Sequence, residues 1–282
     1  MKKSISICGA GFVGGAIKNY FSKLNNFNVY IYDLVPEKRN VESLEELVKK
    51  SKIIFVCLPT PTFFDNGEQD ISIVEAVLSK LDKICEKHTI ILKSTTLPNN
   101  LENFDKKYKH LNLIYSPEFL TEANANNDFE NQDRIILGGK LFGSAVELFK
   151  EAFPNVPIYK TDLKTASLLK YMTNAFLATK VSFANEMYQL CSKAGVKYDD
   201  VKNLLLLDNR IGKSHLNVPH EGKFFFRGHC LCKDLKSLMF LAKEFGVETN
   251  TMAGVWKTNI QQPEEDMDWL KMEGRASSKR KK

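Results

Sequence analysis

The stretch Ser4-Ile5-Ser6-Ile7-Cys8-Gly9-Ala10-Gly11-Phe12-Val13-Gly14 decides the fold. Its first five residues predict a buried β-strand, and the three glycines that follow predict a tight turn that opens a helix. Glycines spaced in this way let the backbone approach a pyrophosphate at the helix N-terminus. The stretch therefore predicts a dinucleotide-binding unit, although a glycine turn without a ligand has the same pattern.

An acidic residue follows the second predicted strand. Asp33 lies nineteen residues after Gly14, directly behind the apolar run Val29–Tyr32. A carboxylate at this place accepts hydrogen bonds from an adenosine ribose and repels a 2′-phosphate. The pattern therefore favours NAD over NADP as the dinucleotide.

Apolar runs alternate with amphipathic helical stretches over the first 160 residues. Such alternation is typical of an α/β fold, and it predicts a doubly wound, Rossmann-type parallel sheet in an NAD-binding domain, residues 1–160. The predicted strands are residues 4–8, 29–32, 53–58, 89–93, 113–115, 134–137 and 158–160.

The pattern changes after residue 160. Residues 161–194 contain no proline or glycine and keep a helical period, which predicts one long central helix with Asp162 as its cap. Helices are also expected over 198–207 and 233–245. We expect an all-helical domain over residues 161–262, built on the long helix, and a disordered tail over residues 263–282.

Composition excludes several classes of protein. Of the 282 residues, 43% are hydrophobic and 26% charged, which excludes a disordered chain. No apolar run approaches about 18 residues, so no membrane helix is expected. The start of the chain does not look like a signal peptide, so we expect a cytoplasmic protein.

The net charge of +6 comes mostly from the end of the chain. Six basic residues and one acid follow residue 269, and the rest is close to neutral, which argues against nucleic-acid binding. The basic end predicts either a solvated terminus or a polyanion-binding tail.

Six cysteines are scattered without a disulfide framework. Cys8 and Cys57 lie in apolar runs and are expected to be buried. His229, Cys230 and Cys232 suggest a metal site, but no second pair of ligands stands at a suitable spacing, so no metal is expected.

Three further motifs follow predicted strands: Pro59-Thr60-Pro61-Thr62, Ser94-Thr95-Thr96-Leu97-Pro98 and Ser116-Pro117-Glu118-Phe119-Leu120-Thr121-Glu122. The carboxyl ends of parallel strands are where open sheets bind ligands. Taken alone, each of the first two motifs is also explained by an ordinary turn, and the third by a solvated helix start.

Two motifs belong to the predicted helices. Lys170 and Asn174 are four residues apart on the long helix, so they share one face and form either a clamp for a reacting oxygen or the wet side of the helix. Cys230 stands at a helix start with Lys233 nearby, where a thiolate is stabilised. Asp234 follows on that helix, and a lone buried cysteine is the alternative interpretation.

In this order, the motifs resemble those of the UDP-glucose/GDP-mannose dehydrogenase family over residues 1 to about 260. The resemblance includes G-x-G-x-V-G, P-T-P, S-T-x-L-P, P-E-F-L-x-E, K-x-x-x-N, the D-x-R-I-G run at residues 208–212 and C-x-x-K-D. It implies an NAD-dependent nucleotide-sugar 6-dehydrogenase, with UDP-glucose as the default substrate. It also implies two hydride transfers through a thiohemiacetal and a thioester on a cysteine, and a homodimer through the long helix.

The resemblance also implies roles for individual residues. Cys230 would be the nucleophile and Lys170, with Asn174, would stabilise the oxyanion, while Asp234, Thr95 and Glu118 would position water. Arg210 and Gly228 would contact substrate, together with Glu118, Lys170 and Asn174. The implied NAD-binding residues are Gly9, Gly11, Phe12, Val13, Gly14, Asp33, Pro59, Thr60, Thr95 and Glu122.

The chain departs from the family pattern at two places. Where the family has G-F-G-G-x-C, this sequence has Phe225-Phe226-Arg227-Gly228-His229-Cys230, and the proline of F-P-K-D is replaced by Cys232. The expected form is short, without the C-terminal domain that grips the nucleotide in relatives. Two alternatives therefore stay open, namely a non-catalytic NAD-binding protein with a decayed sugar loop and a two-electron dehydrogenase of the β-hydroxyacid type.

Overall fold

The computed structural model describes residues 2–280. They form two compact units, which are described separately. Unit 1 comprises residues 2–60 and 71–170, and unit 2 comprises residues 61–70 and 171–280. The units differ from the predicted domains at two places. Residues 61–70, which the sequence places in the first domain, belong to unit 2, and unit 1 extends ten residues beyond position 160.

Unit 1 contains a seven-stranded sheet, and all seven strands lie where the sequence predicts them. The strands are β1 (Lys3–Cys8), β2 (Phe27–Tyr32), β3 (Ile53–Val56), β4 (His88–Leu92), β5 (Leu111–Tyr115), β6 (Ile135–Gly138) and β7 (Ile158–Thr161). Its helices are α1 (Phe12–Lys23), α2 (Leu44–Lys50), α3 (Ser72–Ile84), α4 (Pro98–Lys107), α5 (Ala125–Glu130) and α6 (Gly143–Ala152).

The central strands of the sheet are buried on both faces, whereas the edge strand β7 is partly exposed. Along β4, Ile90 and Leu92 join one apolar cluster while Ile91, pointing the other way, joins a second cluster on the opposite face. Successive side chains of a strand alternate between faces, and a sheet covered by helices on both sides has apolar residues at every position. This explains why a central strand such as β3 reads as a continuous apolar run in the sequence.

The strand order β2-β1-β3-β4-β5-β6-β7 is that of a doubly wound sheet with a switch point between β1 and β3. One pairing differs from the predicted parallel arrangement, because β5 and β6 are antiparallel through Tyr115 and Gly138. An antiparallel strand starts at the edge where its neighbour ends. The connection over residues 116–134 therefore begins and ends at the carboxyl edge of β5.

Unit 2 is helical, as predicted. A single helix, α7 (Leu163–Lys193), begins in unit 1 and continues into unit 2, and the Asp162 carboxylate caps it by accepting a hydrogen bond from the Thr165 N–H at 2.9 Å. The further helices are α8 (Tyr198–Leu205), α9 (Cys230–Glu244) and α10 (Asn250–Asn259).

Residues 61–70 belong to unit 2 because they pack on α9. The Thr62 hydroxyl forms a 2.9 Å hydrogen bond with the Ser237 hydroxyl, and both side chains are buried. A Cβ at Gly67 would lie 2.6 Å from the Lys236 carbonyl oxygen, so only glycine fits there.

Residues 263–280 are folded, which differs from the disordered tail that the sequence predicts. Trp269 is 1% exposed and Ala276 is fully buried. The Thr62 N–H donates to the Ala276 carbonyl, and the Ser278 N–H donates to the Thr62 carbonyl. The composition of this segment predicts solvation because composition does not reveal partners that are distant in sequence. Arg280, for example, pairs with Glu68 at 2.7 Å. The last two basic residues of the predicted tail lie outside the described residues.

Candidate active site

The turn after β1 has the geometry of a pyrophosphate-binding turn. Gly9 has a φ of +94°, and a Cβ there would lie 2.5 Å from the Cys57 carbonyl oxygen at the end of β3. A Cβ at Gly14 would lie 1.9 Å from the Gly9 carbonyl oxygen. Side chains are therefore excluded from both positions, and the backbone forms a close-fitting cradle at the switch point of the sheet.

The N-terminus of α1 and Asp33 complete this cradle. Gly11, the residue before α1, provides no side-chain cap for the helix N-terminus, and a bound phosphate is stabilised by such an end. The Asp33 carboxylate accepts the Ala10 N–H at 2.7 Å and the Val35 N–H at 2.9 Å. These bonds fix the carboxylate at the carboxyl end of β2, where it can accept a ribose hydroxyl, so the residues present fit an NAD molecule.

The other residues expected to bind NAD lie in unit 1 as well. The Thr60 hydroxyl donates to the Thr95 carbonyl at 2.7 Å, which joins the turns after β3 and β4, and Pro59 is exposed beside it. Glu122 is exposed and lines an open cavity of about 420 Å³ together with Phe12.

A buried ion pair lies at the carboxyl edge of the sheet. Lys170 Nζ is 3.2 Å from Glu118 Oε1, and the two side chains are 3% and 6% exposed. The second oxygen of Glu118 accepts the Leu120 N–H at 2.7 Å. Two buried charges so close compensate each other. A fixed ammonium stabilises a developing negative charge most strongly in a site from which water is excluded.

A second buried lysine, which was not among the predicted site residues, lies beside this pair. Lys93 Nζ donates to the Ser116 hydroxyl and to the Pro117 carbonyl, each at 3.3 Å. The pKa of Lys93 is lowered to about 8, chiefly by burial; the Glu118 charge opposes the shift, and the Lys170 charge adds to it. The sequence feature that marks Lys93 is a charged residue at the end of an otherwise apolar strand, directly before the S-T-T motif.

Two predicted motifs, sixty residues apart in sequence, meet in unit 2. Asn174 Nδ2 donates to one oxygen of Asp234 at 2.6 Å, and Lys233 Nζ donates to the other oxygen, also at 2.6 Å. Asp234 is 1% exposed. Lys233 is thus the ion-pair partner of Asp234, whereas the sequence pattern assigned it to the Cys230 thiolate.

Cys230 is the first residue of α9 and is half-buried. The helix dipole and the first N–H groups of a helix stabilise a thiolate at this position. Cys8 and Cys232 are different, because burial raises the pKa of Cys8 to about 12 and that of Cys232 well above its usual value. Burial therefore disfavours the thiolate, and with it nucleophilic chemistry, at Cys8 and Cys232.

The loop before Cys230 has bulky residues at positions 225 and 227, where the family pattern has glycine. Phe225 has a φ of +61°, which favours glycine, and Gly228 has a φ of +72°. Phe226 is fully buried in the core of unit 2, and Arg227 pairs with Asp266 at 2.7 Å. The backbone thus keeps a glycine-like conformation at Phe225.

Arg210 lies apart from the residues described so far. Its side chain is 88% exposed and forms a forked ion pair with Asp208, with a shortest distance of 2.5 Å. Within residues 2–280, no group of three or more His, Cys, Asp or Glu side chains is arranged to hold a metal ion. No helix in the same range has the length and apolar character needed to cross a membrane.

Comparison with known families and proteins agrees with this geometry. Residues 34–155 match the model of the NAD binding domain of the UDP-glucose/GDP-mannose dehydrogenase family, and residues 164–261 match that of its central domain.

Individual UDP-glucose dehydrogenases are similar to this chain over most of its length. The UDP-glucose 6-dehydrogenase of Rickettsia bellii is 32% identical over 92% of this chain and 67% of its own. The UDP-glucose 6-dehydrogenase TuaD of Bacillus subtilis is 26% identical over 92% of this chain and 63% of its own. The structure of a UDP-glucose dehydrogenase from Pyrobaculum islandicum superposes with a TM-score of 0.81 at 26% identity, covering 93% of this chain and 68% of that one. The chain spans about two thirds of the length of these relatives.

The matched models cover most of each unit but begin after the glycine turn, at residue 34. The glycine turn, the buried Lys170–Glu118 pair and the Asn174–Asp234 contact carry the motifs that the sequence shares with this family. The residues around the turn after β1 fit the cofactor of the matched NAD binding domain. The chain belongs to the UDP-glucose/GDP-mannose dehydrogenase family.

Proposed function

We propose that this chain is an NAD-dependent nucleotide-sugar 6-dehydrogenase, with UDP-glucose as its substrate. The observation that carries this proposal is the Asn174–Asp234 hydrogen bond of 2.6 Å, which joins the K-x-x-x-N helix to the helix that begins at Cys230. A two-electron alcohol oxidation requires no cysteine nucleophile. A half-buried cysteine at a helix start, four residues before a buried carboxylate, favours a four-electron oxidation.

The overall reaction converts the primary alcohol, two NAD⁺ and one water into a carboxylate, two NADH and three protons. NAD⁺, when bound, accepts one hydride from C6 in each oxidation. Between the two oxidations, the Cys230 thiolate adds to the aldehyde carbon and forms a thiohemiacetal. Loss of the second hydride leaves a thioester, and water then releases the carboxylate and restores the thiolate.

The buried charges suit this sequence of steps. Lys170 provides an ammonium that is balanced by Glu118 and is 3% exposed, so it can stabilise the oxyanion that forms at C6. Asp234 is held by Lys233 and Asn174, which fixes its carboxylate for orienting water or taking a proton. In unit 1, we assign Thr95 and Glu118 to the positioning of water.

The nucleophile is tested by the variant Cys230→Ser. A hydroxyl is a much poorer nucleophile than a thiolate, so we expect formation of the carboxylate to be lost while NAD binding stays at the wild-type level. The measurements are NADH absorbance at 340 nm with UDP-glucose and NAD⁺, and NAD affinity by calorimetry.

Cys191→Ser is the matched control because Cys191 lies on α7, far along the chain from the assigned residues, and is also half-buried. Full activity of Cys230→Ser would contradict the covalent mechanism. Absence of NADH from every nucleotide sugar tried with the wild type, with NAD still bound, would favour a non-catalytic NAD-binding protein.

We also propose a homodimer through α7. Within unit 2, one side of this helix carries exposed apolar side chains at intervals of four and seven residues, which is the spacing of a helix–helix seam. These residues are Met172, Phe176, Phe183 and Leu190, which are 49–66% exposed. Arg210, whose guanidinium is exposed, would then contact the substrate of the second copy.

Light scattering after size exclusion tests the dimer. The wild type should have the mass of two chains, and Phe176→Glu should shift it toward one chain because a carboxylate cannot be buried in an apolar seam. A wild type with the mass of one chain would contradict the dimer.

A further inference from the structure

The loop that carries Cys230 is held from the segment of residues 263–280. The Gly228 N–H, two residues before Cys230, donates to Asp268 Oδ1 at 2.8 Å. Gly228 has a left-handed φ of +72°, so this N–H is directed by an unusual backbone conformation and its acceptor comes from forty residues away. A charged acceptor makes this one of the stronger bonds available to a loop.

A second contact joins the same two segments. Arg227 Nη1 donates to Asp266 Oδ1 at 2.7 Å, and the Arg227 side chain is 18% exposed. Arg227 stands where the family pattern has glycine, so its charge is additional at this place. Asp266 supplies the carboxylate that a largely buried guanidinium requires.

Apolar packing backs both contacts. Phe226, which directly precedes the two tethered residues in the loop, is fully buried in the same cluster as Trp269 and Ala276. The Phe226 N–H is also bound, by Asn259 Oδ1 at 3.0 Å. Three consecutive loop residues are therefore fixed by partners from residues 259–276, and two of these tethers come from one short acidic stretch.

We propose that Asp268 and Asp266 are positioning residues for Cys230, and that residues 263–280 act as a strap that fixes the cysteine loop. The strap compensates for the glycines lost at positions 225 and 227, because a loop with bulky residues at these positions needs external tethers to keep its shape. The effect on catalysis rests on the proposed role of Cys230, whereas the effect on the order of the loop does not depend on that role.

The main test compares Asp268→Ala with Asp268→Asn. The asparagine keeps an oxygen that can accept the Gly228 N–H, whereas the alanine removes it. In Asp268→Ala we expect amide hydrogen exchange at residues 226–229 to rise about tenfold and kcat to fall about tenfold, with KM changed less than about twofold. Asp268→Asn should keep most of the protection and most of kcat.

The matched control is Glu273→Gln, which removes one carboxylate from the same segment but breaks only an exposed ion pair with Lys279. It should leave both exchange and kcat unchanged. Wild-type exchange in Asp268→Ala, or equal damage in the Asn and Ala variants, would overturn the proposal. If the wild type shows no dehydrogenase activity, the proposed function fails, and the exchange measurement alone decides whether the strap exists.

A double-mutant cycle tests the Asp266 contact. Asp266→Ala should raise loop exchange in the wild-type background because Arg227 loses its carboxylate. In an Arg227→Gly background, which restores the family glycine, the same change should have little effect. Equal effects in the two backgrounds would overturn the role of Asp266.

Discussion

The turn after β1 and the loop before Cys230 are both built on glycine-like backbone, but they differ in what forbids a side chain. At Gly14 the obstacle is space, since a Cβ would lie 1.9 Å from the Gly9 carbonyl oxygen. At Gly228 a Cβ would have no atom within 4 Å, and only the φ of +72° favours glycine. A steric requirement is absolute, whereas a conformational preference costs about 1–2 kcal/mol per residue. This difference accounts for glycine at positions 9 and 14 and for the presence of Phe225 in the second loop.

The largest effect is expected for Gly14→Ala. The added methyl group collides with backbone that cannot move without opening the turn, so NAD affinity should fall by about a hundredfold or more, or the chain should fail to fold. Calorimetric titration with NAD and circular dichroism measure the two outcomes.

Gly15→Ala is the control, because nothing lies within 4 Å of a Cβ at this neighbouring helical glycine. It should raise stability by up to about 1 kcal/mol through helix propensity. Equal NAD affinity in the Gly14→Ala variant and the wild type would refute the steric argument.

The buried Lys93 predicts a pH dependence at the carboxyl edge of the sheet. Its pKa is lowered from 10.5 to about 8, so between these pH values the unfolded state binds more protons than the folded state. The contribution of Lys93 to the free energy of unfolding therefore increases as the pH rises from about 8 to 10.5, by on the order of 3 kcal/mol.

Urea unfolding at several pH values measures this effect as a difference between the wild type and Lys93→Met. The methionine variant should lack this rise while the other lysines contribute equally to both proteins. The same pH slope in the two proteins would show that Lys93 is not desolvated.

The smallest effect concerns the strained phenylalanine of the cysteine loop. Because Phe225 has a φ of +61°, Phe225→Gly should be more stable than Phe225→Ala by about 1 kcal/mol, although both lose the ring. Urea unfolding is the measurement.

Phe224 is the adjacent control because its φ is not positive. There the ordinary order is expected, with alanine at least as stable as glycine. The ordinary order at both positions would contradict the strained conformation of Phe225.

The sequence was sufficient for features that depend on local pattern. The sequence predicts all seven strands from short runs rich in apolar residues, and it predicts α7 because residues 163–193 contain no helix breaker. The glycine turn, Asp162 as a cap and Cys230 at a helix start are likewise set by neighbours in the sequence.

Features that depend on distant partners were not predicted. The antiparallel pairing of β6, the hydrogen bond between Asn174 and Asp234 and the burial of Trp269 are set by the packing of segments far apart in the chain. No local pattern shows that Lys93, at the end of a strand, is buried beside an ion pair. The charge in residues 263–280 predicts solvation, whereas the carboxylates of Asp266 and Asp268 bind Arg227 and the Gly228 N–H.

The most direct test of the proposed function is the number of NADH molecules formed per sugar consumed. The wild type is incubated with limiting UDP-glucose and excess NAD⁺, with GDP-mannose and other UDP-sugars in parallel, and NADH and remaining sugar are quantified at completion. We predict two NADH per sugar, because the aldehyde is captured by Cys230 and oxidised again before release. One NADH per sugar would contradict the proposed four-electron oxidation and indicate a simple alcohol dehydrogenase.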